Sequence, residues 1–352
     1  MVRVGTEDIL FPTAIIGSYP RAPFLHGKVL GEFEEPDFVD FDKRTLYEMA
    51  VSQAVLEQER AGVDIVSDGQ QYQEFDTDYE YHQHFQFVPH RAAGFKRYGE
   101  PIVVELYKMF HAPTVVGDIK WVRPMLRPVL DTVKQWATKP VKLGIIGPLT
   151  QSVAVTDHYY QDPKKMAMAM AEVYNDELRD LSRRGCDQFT LHEPWPYFEP
   201  EPWHLEVWRR TLEGVDAYTV WHICYGNQGG NPGVLADKGK DMFPLGFDAG
   251  FDQIEIECKR RQFADLPALK GFPKDLDLGV GLIDVKSSVT ETPEEVADDI
   301  MRVLDSGVVD PERLSVTMDC GLGNIKRVPA RKKVEAMVQG AALARTRLEG
   351  RG

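Results

Sequence analysis

The chain has 352 residues, with 55 acidic and 41 basic side chains and a formal net charge of -14. Such an acidic chain is not expected to bind nucleic acid or an anionic membrane, because those partners attract basic surfaces. No segment reaches the roughly 18 apolar residues of a membrane span, and the first residues lack the apolar region of a secretion signal. The four scattered cysteines are too few for a disulfide framework, which favours the reducing cytoplasm.

Predicted strands and helices alternate along the chain. Apolar and β-branched runs predict strands over residues 13–16, 63–67, 141–146, 188–191, 217–221, 253–257, 278–283 and 314–318. Helical spacing predicts helices over residues 46–61, 163–184, 201–212 and 330–348, and Thr292, Pro293 and Glu295 mark the start of another. Eight strand-then-helix units predict an α/β fold, a (β/α)8 TIM barrel forming a single domain over residues 1–352. A doubly wound open sheet is the alternative, but the chain lacks both GxGxxG and GxxxxGK.

Residues 71–140 interrupt this alternation after the second strand and are predicted to form a lid-like insertion. Helical patches are expected within it near residues 102–109 and 124–136. Acidic and histidine side chains alternate at its start, which fits either a second metal site or, more commonly, the solvated face of a lid: Asp76, Asp78, Glu80, His82 and His84. Aromatic side chains between them could cover a substrate or simply pack: Phe75, Tyr79, Tyr81, Phe85 and Phe87. Pocket lining and core packing are equal alternatives for Trp195, Tyr197 and Phe198.

Residues His222 and Cys224 stand at the end of the fifth predicted strand. Residues two apart in a strand point to the same side, so the imidazole and the thiol project together, and both suit a zinc ion. Active sites of barrels lie at the carboxyl ends of the strands. Neighbouring strand ends offer Glu257 and Cys320 as further ligands, whereas alternation turns Cys258 to the opposite face as a packing residue. Spacing alone leaves open whether these side chains act together.

Motifs over nearly the whole chain resemble the catalytic domain of cobalamin-independent methionine synthase and its single-domain relatives. The matching segments are Ile16-Gly17-Ser18-Tyr19-Pro20-Arg21, Val66-Ser67-Asp68-Gly69, Ile146-Gly147-Pro148-Leu149-Thr150, His222-Ile223-Cys224-Tyr225, Ile256-Glu257, Ile283-Asp284 and Asp319-Cys320-Gly321-Leu322. The resemblance implies a barrel in which His222, Cys224, Glu257 and Cys320 hold Zn2+. It also implies two partners, a small thiol substrate and a methyl or alkyl donor. Bound zinc deprotonates a thiol that would be mostly protonated at neutral pH.

The resemblance also suggests roles for residues at the other strand ends. Substrate binding is expected from Ser18, Arg21, Asp68, Gln70 and Glu193, and proton handling or orientation from His192, Asp284 and Lys286. Four positions depart from the family pattern. Gln70 and His192 stand where the family has acids that hold the homocysteine ammonium, Lys286 stands where it has a histidine proton donor, and Ala154 aligns near its folate-stacking tryptophan.

These departures predict a relative that alkylates another thiol or uses another donor. Epoxyalkane:coenzyme M transferase is such a relative, and its sulfonate could pair with His192, Lys286 or Arg21. The alternatives are methionine synthase with substituted contacts, a metal-free decarboxylase on the same type of barrel, and a non-enzymatic zinc-bound carrier or sensor of thiols. The sequence leaves a homo-oligomer open.

Overall fold

The computed structural model describes residues 2–4, 7–25, 41–73, 83–96, 99, 101–105, 108–225 and 242–350. The strands are β1 (Val2–Val4), β2 (Glu7–Ile9), β3 (Val66–Ser67), β4 (Ala93–Lys96), β5 (Pro101–Glu105), β6 (Lys108–His111), β7 (Thr114–Lys120), β8 (Val141–Ile146), β9 (Thr156–Asp157), β10 (Gln188–His192), β11 (Tyr218–Ile223), β12 (Gln253–Glu257), β13 (Asp277–Gly281) and β14 (Leu314–Thr317). The α-helices are α1 (Phe41–Ala61), α2 (Gln83–Gln86), α3 (Arg127–Trp136), α4 (Pro148–Val153), α5 (Pro163–Arg183), α6 (Trp195–Phe198), α7 (His204–Leu212), α8 (Pro293–Asp305) and α9 (Arg327–Glu349). Within the described ranges, no helix combines the length and apolar character needed to cross a membrane.

A curled sheet of parallel strands forms the centre of the molecule. Its strand order is β14-β13-β12-β11-β10-β8-β3. The chain near its start lies beside both ends of this order, since Thr13 bridges to Val316 of β14 and Ala14 bridges to Ile65, next to β3. The predicted α/β class with parallel strands is confirmed. The predicted first strand over residues 13–16 is present as these two isolated bridges.

The strands of the sheet are buried on both faces, although β10 and β12 contain several polar residues. Every residue of β8, β10 and β12 is buried, as is usual when helices cover a parallel sheet. Polar residues therefore stand out within these strands: Lys142, His192, Glu255 and Glu257. Neighbouring strands are in register, with His192 opposite His222 and His222 opposite Glu255. These polar residues therefore lie side by side across the sheet.

Local sequence signals set the helix starts. The Thr292 hydroxyl accepts a hydrogen bond from the Glu295 amide (3.1 Å), and the Glu295 carboxylate accepts one from the Thr292 amide (2.7 Å). This reciprocal cap confirms the start of α8 predicted from the sequence. Asp162 caps α5 in a similar way, through the amide of Lys165.

The insertion after β3 contains more strand than predicted. β4 pairs with β7, β7 pairs with β9, and β5 pairs with β6. The predicted helix over residues 102–109 is therefore wrong; the β-branched run Ile102-Val103-Val104 favours a strand, and it lies in β5. The helix predicted over 124–136 is confirmed as α3. Of the alternating residues at the start of the insertion, Asp76, Asp78, Glu80 and His82 lie outside the described residues, and His84 lies in α2.

Candidate metal centre

Three metal-binding side chains converge at the carboxyl ends of the parallel strands. His222 lies in β11, Cys224 directly follows this strand, and Cys320 follows β14. One ligand atom from each, an imidazole nitrogen and two sulfurs, lies within 4.8 Å of the other two. The two sulfurs are 3.4 Å apart. Over the part of the chain that the structure describes, this is the one cluster of His, Cys, Asp or Glu side chains with such geometry.

The two thiols of the cluster are electrostatically unequal. Their mutual hydrogen bond lowers the pKa of Cys320 well below its usual range and raises the pKa of Cys224. The nearby His222 imidazole further lowers the pKa of Cys320. The cluster therefore favours one thiolate already, and thiolate is the form that binds a metal ion.

A buried ion pair lies next to His222 on the inner face of the sheet. Lys142 Nζ is 3.2 Å from Glu255 Oε1, and both side chains are only 1% exposed. The other carboxylate oxygen, Oε2, is 3.6 Å from His222 Nδ1. A carboxylate beside a ligating histidine fixes the orientation of the ring and increases its basicity. We therefore assign Glu255 to the support of His222.

Glu257 lies beside the cluster but is bound by other groups. Its Oε2 is 2.8 Å from Lys286 Nζ, and its Oε1 accepts a hydrogen bond of 3.1 Å from the Tyr225 amide. Burial lowers the pKa of Lys286, but the negative charges of Glu257 and of the two cysteines outweigh this effect, so the pKa of Lys286 is raised. The structure thus brings three of the four predicted ligands together and places the fourth, Glu257, in an ion pair.

Gln70 and His192 form a polar pair on the other side of His222. Gln70 Nε2 is 3.1 Å from His192 Nε2, and the rings of His192 and His222 meet edge to face with centroids 5.4 Å apart. The pair occupies space left by Gly144, where an added Cβ would lie 2.8 Å from His192 Nε2. The two departures from the family pattern are therefore neighbours at the metal centre.

Two buried carboxyl groups flank this region. Burial raises the pKa of Asp68 to about 7 and that of Glu193 to about 7. The Glu193 carboxylate accepts hydrogen bonds from the amides of Leu149 (2.9 Å) and Thr150 (2.7 Å) in the first turn of α4. Glu193 thus supports α4, and a direct contact of Glu193 or Asp68 with substrate stays a prediction.

Ser18 and Arg21 lie on the segment that joins the two edges of the sheet. The Ser18 carbonyl accepts a hydrogen bond from the Leu322 amide (2.7 Å), which ties this segment to the loop that carries Cys320. Gly321 allows this close approach, because a Cβ there would collide with the Ser18 hydroxyl. Arg21 donates from Nη2 to the Gln71 carbonyl at 2.9 Å. Ser18 is therefore close to the metal centre.

The loop after β13 carries Asp284 and Lys286. Asp284 Oδ1 accepts a hydrogen bond from the Lys286 amide (2.9 Å), and Oδ2 lies 3.2 Å from Arg260. The Asp284 amide in turn donates to Glu291 Oε1 (2.9 Å). Asp284 thus contacts the backbone of Lys286, and both roles predicted for Asp284, proton handling and orientation, stay predictions.

Sequence reasoning missed several residues that support the site. Lys142 is a lysine inside an otherwise apolar strand, and that anomaly was the available signal. Glu255 lies two residues before Glu257 in β12, so strand alternation places both side chains on one face. Asp319 belongs to one of the matching motifs, and its carboxylate accepts hydrogen bonds from three amides in the turn after β12, those of Cys258, Lys259 and Arg260. Cys258 is buried in the main core, as predicted.

Aromatic residues near the cluster belong to the core. Tyr197 and Phe198 are buried in the main hydrophobic cluster. The Tyr225 hydroxyl donates to the Tyr197 hydroxyl at 3.2 Å, and their rings are 5.4 Å apart. Core packing is therefore the role observed for Tyr197 and Phe198.

The cluster of His222, Cys224 and Cys320 fits a metal ion. Neither ring nitrogen of His222 has a hydrogen-bond partner among the described residues, although both are buried. A buried histidine left in this way is costly unless something binds it. One imidazole and two sulfurs match the usual donors of zinc, and three protein ligands are typical of a catalytic zinc site with an open position.

Comparison with known proteins identifies the family to which this chain is similar. The family model for the catalytic domain of cobalamin-independent synthase matches residues 11–343. A 2-hydroxypropyl-CoM lyase of Xanthobacter autotrophicus is 29% identical over 97% of each chain. A methionine synthase of Thermococcus kodakarensis is 31% identical over 97% of this chain and 96% of its own. The solved structure of a B12-independent methionine synthase from Shewanella in complex with selenomethionine has a TM-score of 0.84 and 26% identity, covering 97% of this chain and 100% of that one.

Proposed function

The chain belongs to the cobalamin-independent methionine synthase catalytic-domain family, and from this premise we propose that it transfers a methyl or larger alkyl group to a small thiol at a zinc ion. The observation that carries the proposal is the convergence of His222, Cys224 and Cys320. Zinc, when bound by these residues, supplies the charge that deprotonates the substrate thiol at neutral pH. A metal-free decarboxylase would have no use for this cluster.

The proposed transfer is a nucleophilic displacement at the alkyl carbon of the donor. The thiol releases its proton to solvent, and a sulfur electron pair then forms a bond to the alkyl carbon. The bond between that carbon and the donor atom breaks, and the donor atom keeps the bonding electrons. The chain's own contribution is to bind and orient both reactants, which makes the reaction effectively unimolecular. We assign the orientation of the thiol to Gln70 and His192, which lie beside His222, and to Ser18, whose carbonyl accepts a hydrogen bond from the Leu322 amide in the loop that carries Cys320.

The Gln70–His192 pair favours a substrate thiol other than homocysteine. Neither side chain offers the negative charge that would hold an ammonium group, and both are buried next to His222. A thiol with a neutral or anionic substituent suits this environment better. The relative named 2-hydroxypropyl-CoM lyase makes epoxide opening by a thiolate the second candidate reaction. In that reaction the epoxide oxygen takes the bonding electrons and then a proton.

Membership of this family also suggests how the sheet closes. We propose that the curled sheet is a closed (β/α)8 barrel, in which the segment at Thr13 and Ala14 completes the circle. The bridges of these residues to both edge regions of the sheet support closure. A closed barrel would place every ligand at one mouth, as the family's chemistry requires.

A thiol and donor panel tests the proposed reaction. Zinc-loaded protein is mixed with homocysteine or 2-mercaptoethanesulfonate and with a methylfolate, methylcobalamin or epoxypropane, and alkylated thiol is measured by mass spectrometry. We expect product with 2-mercaptoethanesulfonate and its loss in Cys320→Ala. Cys186→Ala is the matched control, because Cys186 is a buried free cysteine outside the cluster. If homocysteine were the only thiol to give product, the substrate assignment would be contradicted. Full activity of zinc-free protein would contradict the mechanism.

A further inference from the structure

We infer that Asp319 is a positioning residue, whose buried carboxylate connects the loop that carries Cys320 to the turn that follows β12 and thereby holds Cys320 in place. The inference rests on the proposed function, because it takes Cys320 as a metal ligand. It concerns the support of one ligand and leaves the predicted set of ligands unchanged.

The Asp319 carboxylate accepts hydrogen bonds from three consecutive backbone amides. Oδ1 accepts those of Cys258 and Lys259, each at 3.0 Å, and Oδ2 accepts that of Arg260 at 2.8 Å. The side chain is fully buried, where a charge is costly unless hydrogen bonds satisfy it. Hydrogen bonds from amides to a carboxylate are also stronger than those between neutral groups. The turn after β12 therefore holds the Asp319 side chain in one orientation.

The backbone around Asp319 is tightly packed against a third strand end. The Asp319 amide donates to the Ile283 carbonyl, in the loop after β13, at 3.0 Å. Gly281, the last residue of β13, lies so close that a Cβ there would be 2.6 Å from Asp319 Cα and 2.8 Å from its nitrogen. A glycine is needed at this position because another backbone approaches it closely. The ends of β12, β13 and β14 thus meet at one aspartate.

The connection matters because the two cysteines of the cluster come from distant strands. Cys224 follows β11 and Cys320 follows β14, and β12 and β13 lie between these strands in the sheet. Neighbouring strands are about 4.8 Å apart, so three spacings separate β11 and β14 by roughly 14 Å along the sheet. The two sulfurs are nevertheless 3.4 Å apart. The curl of the sheet and the paths of the loops bring them together.

Asp319 sets the path of one of these loops. It directly precedes Cys320, so its three hydrogen bonds direct the start of that loop across β13 toward β12. Within the described part of the chain, the Arg260 amide donates to Asp319 alone, whereas the amides of Cys258 and Lys259 also donate to the Gly281 carbonyl. Ligands of a metal site depend on such supporting hydrogen bonds for their orientation.

Zinc affinity and the absorption spectrum of cobalt-loaded protein, measured in Asp319→Asn, test the inference. Competition with a chromophoric chelator gives the zinc affinity. Cobalt in place of zinc reports the geometry of the ligands through its visible absorption bands. Urea unfolding of the metal-free protein gives the stability of each variant. Glu177→Gln is the matched control, because Glu177 is a buried carboxylate that accepts the amides of Met125 and Leu126.

An asparagine at position 319 keeps one acceptor oxygen but turns an N–H group toward at least one of the three amides. Asp319→Asn is therefore expected to weaken zinc binding by about 10- to 100-fold and to shift the cobalt bands. Glu177→Gln should also lose stability, yet keep the zinc affinity and the cobalt bands of wild type. This contrast separates a positioning role from a purely structural one.

Gly281→Ala provides a second, independent variant. It leaves every charge and every predicted ligand in place, and the added methyl group displaces Asp319. Zinc binding should weaken by about 10-fold or more. The double variant Gly281→Ala/Asp319→Asn should lose clearly less than the two single losses combined, because both changes break the same connection.

Wild-type zinc affinity and cobalt bands in a folded Asp319→Asn protein would overturn this inference alone, and so would strictly additive losses in the double variant. If neither single variant folds, amide hydrogen exchange of the wild-type protein decides. The amides of residues 258–260 should exchange more slowly once zinc is bound, because Cys320 and Asp319 are then fixed. Unchanged exchange would overturn the inference. A wild-type protein that binds no zinc would overturn the proposed function together with it.

Discussion

Two buried charged residues lie next to His222 at the candidate metal centre. The Glu255 carboxylate is 3.6 Å from His222 Nδ1, and Lys142 holds its other oxygen. Isolated charges are rarely buried, because their desolvation is costly. The charges of Lys142 and Glu255 therefore neutralise each other, and Glu255 lies where it can orient the His222 imidazole.

We predict that Glu255→Gln weakens zinc binding by about 10- to 100-fold, because the imidazole loses its orienting carboxylate. Chelator competition measures the change. Glu177→Gln is a matched control. Glu177 is as buried as Glu255, but its carboxylate accepts hydrogen bonds from the amides of Met125 and Leu126. Wild-type zinc affinity in Glu255→Gln would rule out the supporting role.

Asp68 should make stability depend on pH. Burial raises the pKa of Asp68 to about 7, well above the ordinary value of 3.8 for an aspartate. The folded state then binds more protons than the unfolded state between about pH 4 and pH 7, so the free energy of unfolding falls as pH rises through this window. Above it the full penalty of the buried carboxylate is present.

Asp68→Asn should therefore stabilise the protein at pH 8 by up to about 4 kcal/mol, and the gain should shrink toward pH 4. Urea unfolding at several pH values measures the difference from wild type. Asp131→Asn, at an exposed position, should show no such trend. A difference between Asp68→Asn and wild type that does not vary with pH would contradict the assignment.

The loop after β13 is stabilised by contacts with helix α9 and by the capped start of helix α8. Lys333 of α9 reaches Glu291, and Glu291 binds the Asp284 amide. Helix α8 begins directly after this loop with the reciprocal cap of Thr292 and Glu295. The conformation of the loop therefore depends on two helices that follow it in the chain.

Lys333→Met is expected to lower the free energy of unfolding by about 3–5 kcal/mol, because it leaves the Glu291 charge buried and unpaired. The double variant Lys333→Met/Glu291→Gln should recover part of this loss, since the glutamine oxygen can still accept the Asp284 amide without a charge. Urea unfolding measures both. If the double variant is less stable than the single one, the ion pair is not the cause.

Thr292→Ala should destabilise the protein by about 1 kcal/mol, because one amide in the first turn of α8 loses its acceptor. The urea midpoint measures this effect, and Ser288→Ala on the preceding loop is the control. Zinc affinity should not change. A Thr292→Ala midpoint equal to that of the control would mean that the cap adds little in this protein.

Elements that carry the site were the most predictable. The strand around His222 was predicted over residues 217–221 and is observed as Tyr218–Ile223, because a buried parallel strand is a continuous apolar run. The Glu257–Lys286 pair joins residues 29 positions apart. It depends on the path of a loop, which hydrophobic periodicity does not describe. The wrong helix at 102–109 shows the same limit, since short apolar runs fit either period.

The whole molecule combines a curled parallel sheet with ligands from strands that are distant in sequence. Cys224 and Cys320 are 96 positions apart, yet their sulfurs meet at 3.4 Å. The cluster was predictable because HxC lies at a strand end and its partner cysteine follows another strand end of the same sheet. The place of Glu257 was not predictable, because alternation does not reveal its 2.8 Å contact with Lys286.

Zinc K-edge X-ray absorption, recorded before and after addition of 2-mercaptoethanesulfonate, tests the central claim most directly. The account predicts about one zinc per chain with two sulfur donors and one imidazole from the protein, and a third sulfur donor once the thiol is added. A sulfur count that stays at two with saturating thiol, or zinc bound equally well by Cys320→Ala, would contradict it.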